Sequence, residues 1–231
     1  ISSIVRKMTE IGDDIVVLSP VYNIFYNSIL NNGRKVLASE LRYEDESYAI
    51  DYADLEEKLS RETTSLFIFC NPHNPVGKVW DRPTLERIAE LCIKHDVLVV
   101  SDEIHCDLTH IGRKYTPFAS VSEAIADRTI TCVAPTKTFN IAGLQTSAIV
   151  IQNPEIRARV DREINTDEVA EPNSFAIQAA EAAFDEGEEW LEELRIYLDG
   201  NRKMLTEELA QTVPEVHVVE AEATYLAWID C

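Results

Sequence analysis

Short runs of almost continuously apolar residues alternate along the chain with segments whose apolar positions recur every three or four residues. Residues 14–18, 35–38, 65–70, 97–101, 128–133 and 148–151 are brief and rich in β-branched side chains, which predicts buried strands. Residues 1–11, 21–31, 51–61 and 82–94 have helical spacing. Ile1, Ile4, Val5 and Met8 share one face of the first, and Leu85, Ile88, Ala89 and Cys92 share one face of the last. Asp51 is placed to cap the third of these helices. Strands that are apolar on both sides need cover on both sides. The pattern therefore predicts an α/β fold, with a mainly parallel sheet flanked by helices.

Beyond residue 151 the texture changes. Residues 154–164 and the alanine-rich stretch 174–184 predict helices, and 186–211 predicts one long acidic helix or two, with Gly200 a possible break. Residues 216–219 and 225–229 read as strands of a separate small layer. This divides the chain into a large domain over residues 1–165, connecting helices over 166–200, and the start of a smaller α+β domain over 201–231.

Charge narrows the functional classes. Acidic residues outnumber basic ones 41 to 21, a formal net charge of −20, which repels nucleic acid and anionic membrane surfaces. No apolar run is long enough to span a bilayer, and no signal-peptide pattern opens the chain. Cys70, Cys92 and Cys132 fall within apolar stretches, while Cys106 and Cys231 complete an odd set of 5. This usage points to reduced thiols and a cytoplasmic protein. No cysteine or histidine spacing suggests zinc.

The chemistry collects at strand ends. Tyr22, Asn71, Asn74, Asp102, His105 and Lys137 each follow the carboxyl end of a predicted strand, and in an open parallel sheet those ends line one crevice. An aspartate there calls for a cation, and a lysine in the same crevice can condense with an aldehyde. Together Asp102 and Lys137 fit pyridoxal phosphate, whose protonated ring nitrogen and aldehyde meet both demands. The competing readings are a structural carboxylate paired with arginine, and a metal site drawn from Asp102, Glu103, His105, Asp107 and His110.

Several segments are similar to one family over nearly the whole chain. Ser19-Pro20-Val21-Tyr22, Asn71-Pro72-His73-Asn74-Pro75-Val76-Gly77, Ser101-Asp102-Glu103-Ile104-His105 and Ala134-Pro135-Thr136-Lys137 resemble the cofactor-binding motifs of the fold-type I, pyridoxal-phosphate-dependent aminotransferase superfamily. The resemblance is strongest to its C–S lyase branch, the cystathionine β-lyases of the MalY/PatB type, where histidine often replaces the tyrosine that aminotransferases carry at the position of His105. It implies a transferase-like large domain in which Lys137 binds the cofactor covalently and acts in catalysis. Tyr22 would stack on its ring, Asn74 bond its phenolic oxygen, Asp102 meet its ring nitrogen and Thr136 hold its phosphate. The segment from Ala223 to Asp230 resembles the start of the family's small-domain sheet. Gln145 stands where many aminotransferases have a phosphate-binding arginine, and Ala134 where serine is common. By the same resemblance, a glycine-rich phosphate loop would precede Ile1 and a carboxylate-binding arginine would follow Cys231, as if this were the middle of a longer enzyme. The implied activity is β-elimination from L-cystathionine or related cysteine S-conjugates, by a homodimer. Transamination of an L-amino acid is the alternative, and a non-catalytic regulator or interaction module on the same fold is a second.

Overall fold

The computed structural model describes residues 1–231. Helix α1 (Ser2–Met8) leads into strand β1 (Asp14–Ser19), helix α2 (Ile24–Leu30) and strand β2 (Lys35–Glu40). A hairpin of β3 (Arg42–Glu44) and β4 (Ser47–Ala49) follows. Next come α3 (Tyr52–Leu59), β5 (Thr64–Cys70), α4 (Arg82–Lys94) and β6 (Leu98–Asp102). After α5 (Glu123–Ala126) and β7 (Thr129–Val133), the single turn α6 (Pro135–Thr138) precedes β8 (Ala148–Ile151). Helices α7 (Pro154–Thr166), α8 (Ala176–Glu186) and α9 (Glu188–Thr212) then lead to the short antiparallel pair β9 (His217–Val218) and β10 (Ile229–Asp230).

The main sheet runs in the order β2-β1-β5-β6-β7-β8, parallel throughout except for β8, which is antiparallel to β7. Alternation along each strand sorts the core into two layers. Ile15, Val17, Leu66 and Ile68 face Ile4 and Val5 of α1, Phe25 and Ile29 of α2, and Val160 of α7. Their neighbours Val16, Leu18, Phe67 and Phe69 face Leu55 and Leu59 of α3 and Leu85 and Ile88 of α4. Helix starts are fixed locally. Asp51 accepts from the N–H groups of Ala53 and Asp54 at 3.1 Å each, and Asp81 accepts from Thr84 at 2.9 Å. Each such cap contributes about 1 kcal/mol.

Some expectations need correction. Strand β8 is an edge strand with Ala148 and Val150 exposed. Helix α9 runs unbroken through Gly200, since one glycine costs only about 1 kcal/mol against 25 residues of otherwise favourable helix. Position 200 therefore marks no break between elements. Of the strand expected over residues 225–229, only Ile229 enters a ladder. Shortly before it the chain returns to the loop after β5, where Glu222 and Ala223 donate to the carbonyl of Gly77 at 2.8 and 2.9 Å.

Candidate active site

Parallel strands bring their carboxyl ends to one edge. Tyr22 follows the exit of β1, Asn74 sits in the loop after β5, Asp102 is the last residue of β6, His105 lies just past it, and α6 presents Lys137 after β7. Those five side chains line one cavity of about 380 Å³. The expected crevice exists.

The loop carrying Asn74 is pinned from below. His73 is fully buried, and its Nε2–H donates to the carbonyl of Pro20 at 2.9 Å, tying the exits of β1 and β5 together. Burial holds that imidazole neutral, with its pKa lowered to about 4. Trp80 donates from Nε1 to the carbonyl of Cys70 at 3.1 Å, and Asn71 from Nδ2 to that of Thr116 at 3.0 Å. Asn71 is therefore spent on structure, while Asn74 is left to face the cavity.

Asp102 stands between Cys70 and Cys132 of the flanking strands. Its only hydrogen-bond donor is the N–H of Ile104 at 3.3 Å, and no cation pairs with it. Withdrawal from water pushes its pKa up to about 6. Glu103 points the other way. It is buried and accepts from Ser101 Oγ at 2.7 Å, Phe118 N at 3.0 Å and the Tyr115 hydroxyl, so it fastens the segment around Phe118. Burial raises its pKa as well.

Lys137 forms no ion pair on its side of the cavity. His105 is buried, with Nε2 3.4 Å from Asn74 Nδ2 and its ring edge-on to Tyr225 at 5.9 Å. Burial, helped by the charge of Lys137, lowers its pKa to about 4 and keeps it neutral. No group of three or more histidine, cysteine or acidic side chains, Asp102 through His110 included, is arranged to hold a metal.

A carboxylate without a cation and an amine without an anion, facing one cavity, fit pyridoxal phosphate at its ring nitrogen and its aldehyde. Thr136 is buried and, like Asn71, off the cavity wall, where both were expected. Cys70, Ile104, Tyr225 and Leu226 also line the cavity without having been singled out. Cys70 was readable as a strand-terminal residue beside Asp102. Tyr225 carried no local signal, because the turn that aims it depends on distant partners.

A family model described as aminotransferase class I and II matches residues 1–231. The chain is 46% identical over 230 residues to cystathionine β-lyase PatB of Bacillus subtilis (strain 168), covering 100% of this chain and 59% of that protein. It is 32% identical over 231 residues to the protein MalY of Escherichia coli (strain K12), covering 100% and 58%. Among solved structures, cystalysin from Treponema denticola, which contains pyridoxal 5′-phosphate, superposes with a TM-score of 0.97 at 37% identity, over 99% of this chain and 58% of that one. The chain thus spans less than two thirds of the length of these relatives.

Proposed function

The chain belongs to the aminotransferase class I and II family, and on that premise we propose that the protein is a pyridoxal 5′-phosphate-dependent C–S β-lyase. Its substrates are L-cystathionine or related cysteine S-conjugates, and its products a thiol, pyruvate and ammonia. The observation that carries this reading is the uncompensated pair lining one cavity, Asp102 and Lys137. The names of the relatives, and a histidine at position 105, favour elimination over transamination.

Bound there, pyridoxal phosphate supplies an aldehyde that captures an amino group and a protonated ring that takes up the electron pair released at the substrate's α-carbon. Asp102 would hold the proton on the ring nitrogen, and that cation would lower a pKa that stands near 6 without one. Lys137 would hold the aldehyde through Nζ, and its free amine would serve as the general base for the α-proton. Asn74 and Tyr22, both on the cavity wall, would meet the phenolic oxygen and the ring face, whereas Thr136, off that wall, is not placed to hold the phosphate as expected. His105, neutral beside Asn74, adds no competing positive charge. A second copy of the chain and a cytoplasmic setting complete the proposal, the first supported by the family and the second by free cysteines.

The test is spectroscopic and then chemical. The chain loaded with cofactor should show a visible absorption band that borohydride bleaches, and Lys137→Ala should abolish it and lower turnover at least about 1000-fold. L-cystathionine should yield pyruvate and a free thiol without any added keto acid. An absolute requirement for a keto-acid acceptor would establish transamination instead, and a normal band in Lys137→Ala would remove the lysine from its role.

A further inference from the structure

The C-terminal segment reaches the cavity through a backbone conformation that its sequence resists. Thr224 is β-branched, 2% exposed, and held at φ +73°. Branched side chains occupy that left-handed region only under constraint. The constraint is visible. Thr224 N–H donates to Leu108 O at 2.7 Å, its Oγ1 accepts from Leu226 N at 3.1 Å, and its carbonyl accepts from Nε2 of buried His110 at 3.1 Å. Just before it, Ala223 bridges Thr109 and donates to Gly77 O at 2.9 Å. The segment is therefore clamped between the loop that carries Asn74 and the loop that carries His105. Directly after the turn, Tyr225 sets its ring against His105 and lines the cavity together with Leu226.

We propose that Thr224 is a positioning residue and Tyr225 a specificity residue. The anchored turn fixes Tyr225, with Leu226, as the wall that receives the substrate's side chain and selects one without net charge. The inference rests on the reading of this cavity as a pyridoxal-phosphate amino-acid site. Once the cofactor engages Lys137 and Asp102, the remaining wall is uncharged, His105 included. An anionic side chain enters such a space without a counter-ion. A neutral thioether instead gains contact with an aromatic ring and a leucine.

The experiment uses the cofactor-loaded chain with L-methionine and L-glutamate, two amino acids of similar length that lack a β-leaving group. Affinity is read from the shift of the cofactor absorption band, alongside thermal melting. Methionine should bind at least about tenfold more tightly than glutamate, and Tyr225→Ala should cost methionine at least about fivefold while leaving glutamate unchanged. Tyr225→Phe should retain the preference. Thr224→Gly, which relieves the backbone, should melt no lower than Thr224→Ala yet weaken the preference for methionine. A ratio in Tyr225→Ala within about twofold of the unaltered chain, or equal loss in Tyr225→Phe, overturns the specificity role. Thr224→Gly melting below Thr224→Ala, or keeping the full preference, overturns the positioning role. If the unaltered chain takes up no cofactor, the functional reading fails and carries this inference with it. If cofactor binds and both probes ignore Tyr225, the inference alone fails.

Discussion

Asp102 costs the folded chain something until a cation arrives. Its pKa stands near 6, above the ordinary carboxylate value of 3.8, so the fold binds this proton more tightly than the unfolded chain does. The sign follows: this contribution is most favourable below about pH 4 and is lost as pH rises through about 6. Asp102→Asn should therefore stabilise the cofactor-free chain at neutral pH by about 1–3 kcal/mol, and the gain should vanish near pH 4. The same substitution should weaken cofactor binding at least about 100-fold, because the ring's positive charge loses its counter-charge. Melting curves at the two pH values and an absorbance titration check both halves, and a destabilised Asp102→Asn at neutral pH would contradict the account. Residues such as Asp102 and Lys137 were legible in the sequence because a charge at the end of an apolar run is conspicuous. Tyr225 was not, since its direction comes from the conformation of Thr224, which no local pattern encodes.

At the scale of elements, the close approach of the C-terminal segment to the loop after β5 can be measured through one glycine. Gly77 has φ +70°, and a Cβ there would lie 2.6 Å from Ala221 Cβ and 2.7 Å from Ala223 O. Gly12 has φ +95° but nothing within 4 Å. Gly12→Ala should then cost only the backbone penalty, about 1 kcal/mol, while Gly77→Ala adds steric displacement and should cost about 2–4 kcal/mol. Urea unfolding gives both numbers, and equal losses would mean that the segment yields freely. The strands β5 and β6 and the helix α4 were readable almost to the residue, because continuous apolar runs and the single apolar face of Leu85, Ile88, Ala89 and Cys92 speak locally. The β3–β4 hairpin was not. Its strands are three residues each, and its turn uses Asp45 and Glu46 at positive φ rather than glycine. The direction of β8 was also unreadable, since an apolar run does not state whether it pairs parallel or antiparallel.

For the whole molecule, the alternation of buried strands and helices was enough to foresee a covered parallel sheet and the edge where its ligands gather. It could not foresee that residues 219–226 come back to that edge, because backbone hydrogen bonds to Gly77, Leu108 and Thr109 leave no composition signature. One global property does follow from composition alone. A net charge of −20 makes the folded chain repel itself at neutral pH. Added salt shortens the screening length from about 10 Å at 0.1 M to about 3 Å at 1 M. Sodium chloride over that range should raise the melting temperature by about 2–4 °C, equivalent to roughly 1 kcal/mol. Acidification should act in the same direction at first, as the repulsion falls and the raised carboxyls of Asp102 and Glu103 take up protons. Further acid reverses the effect. Asp54, held below its usual pKa despite its partial burial by Lys58 and Ser39, and Asp81, held down by the Thr84 bonds, lose those interactions as pH falls below the ordinary value of 3.8. Stability of the cofactor-free chain should therefore peak at mildly acidic pH, between about 4.5 and 6, rather than at neutrality. A melting temperature that climbs steadily from about pH 5 to pH 8, or that salt leaves unmoved, would show that surface repulsion and the strand-end carboxylates do not govern this fold.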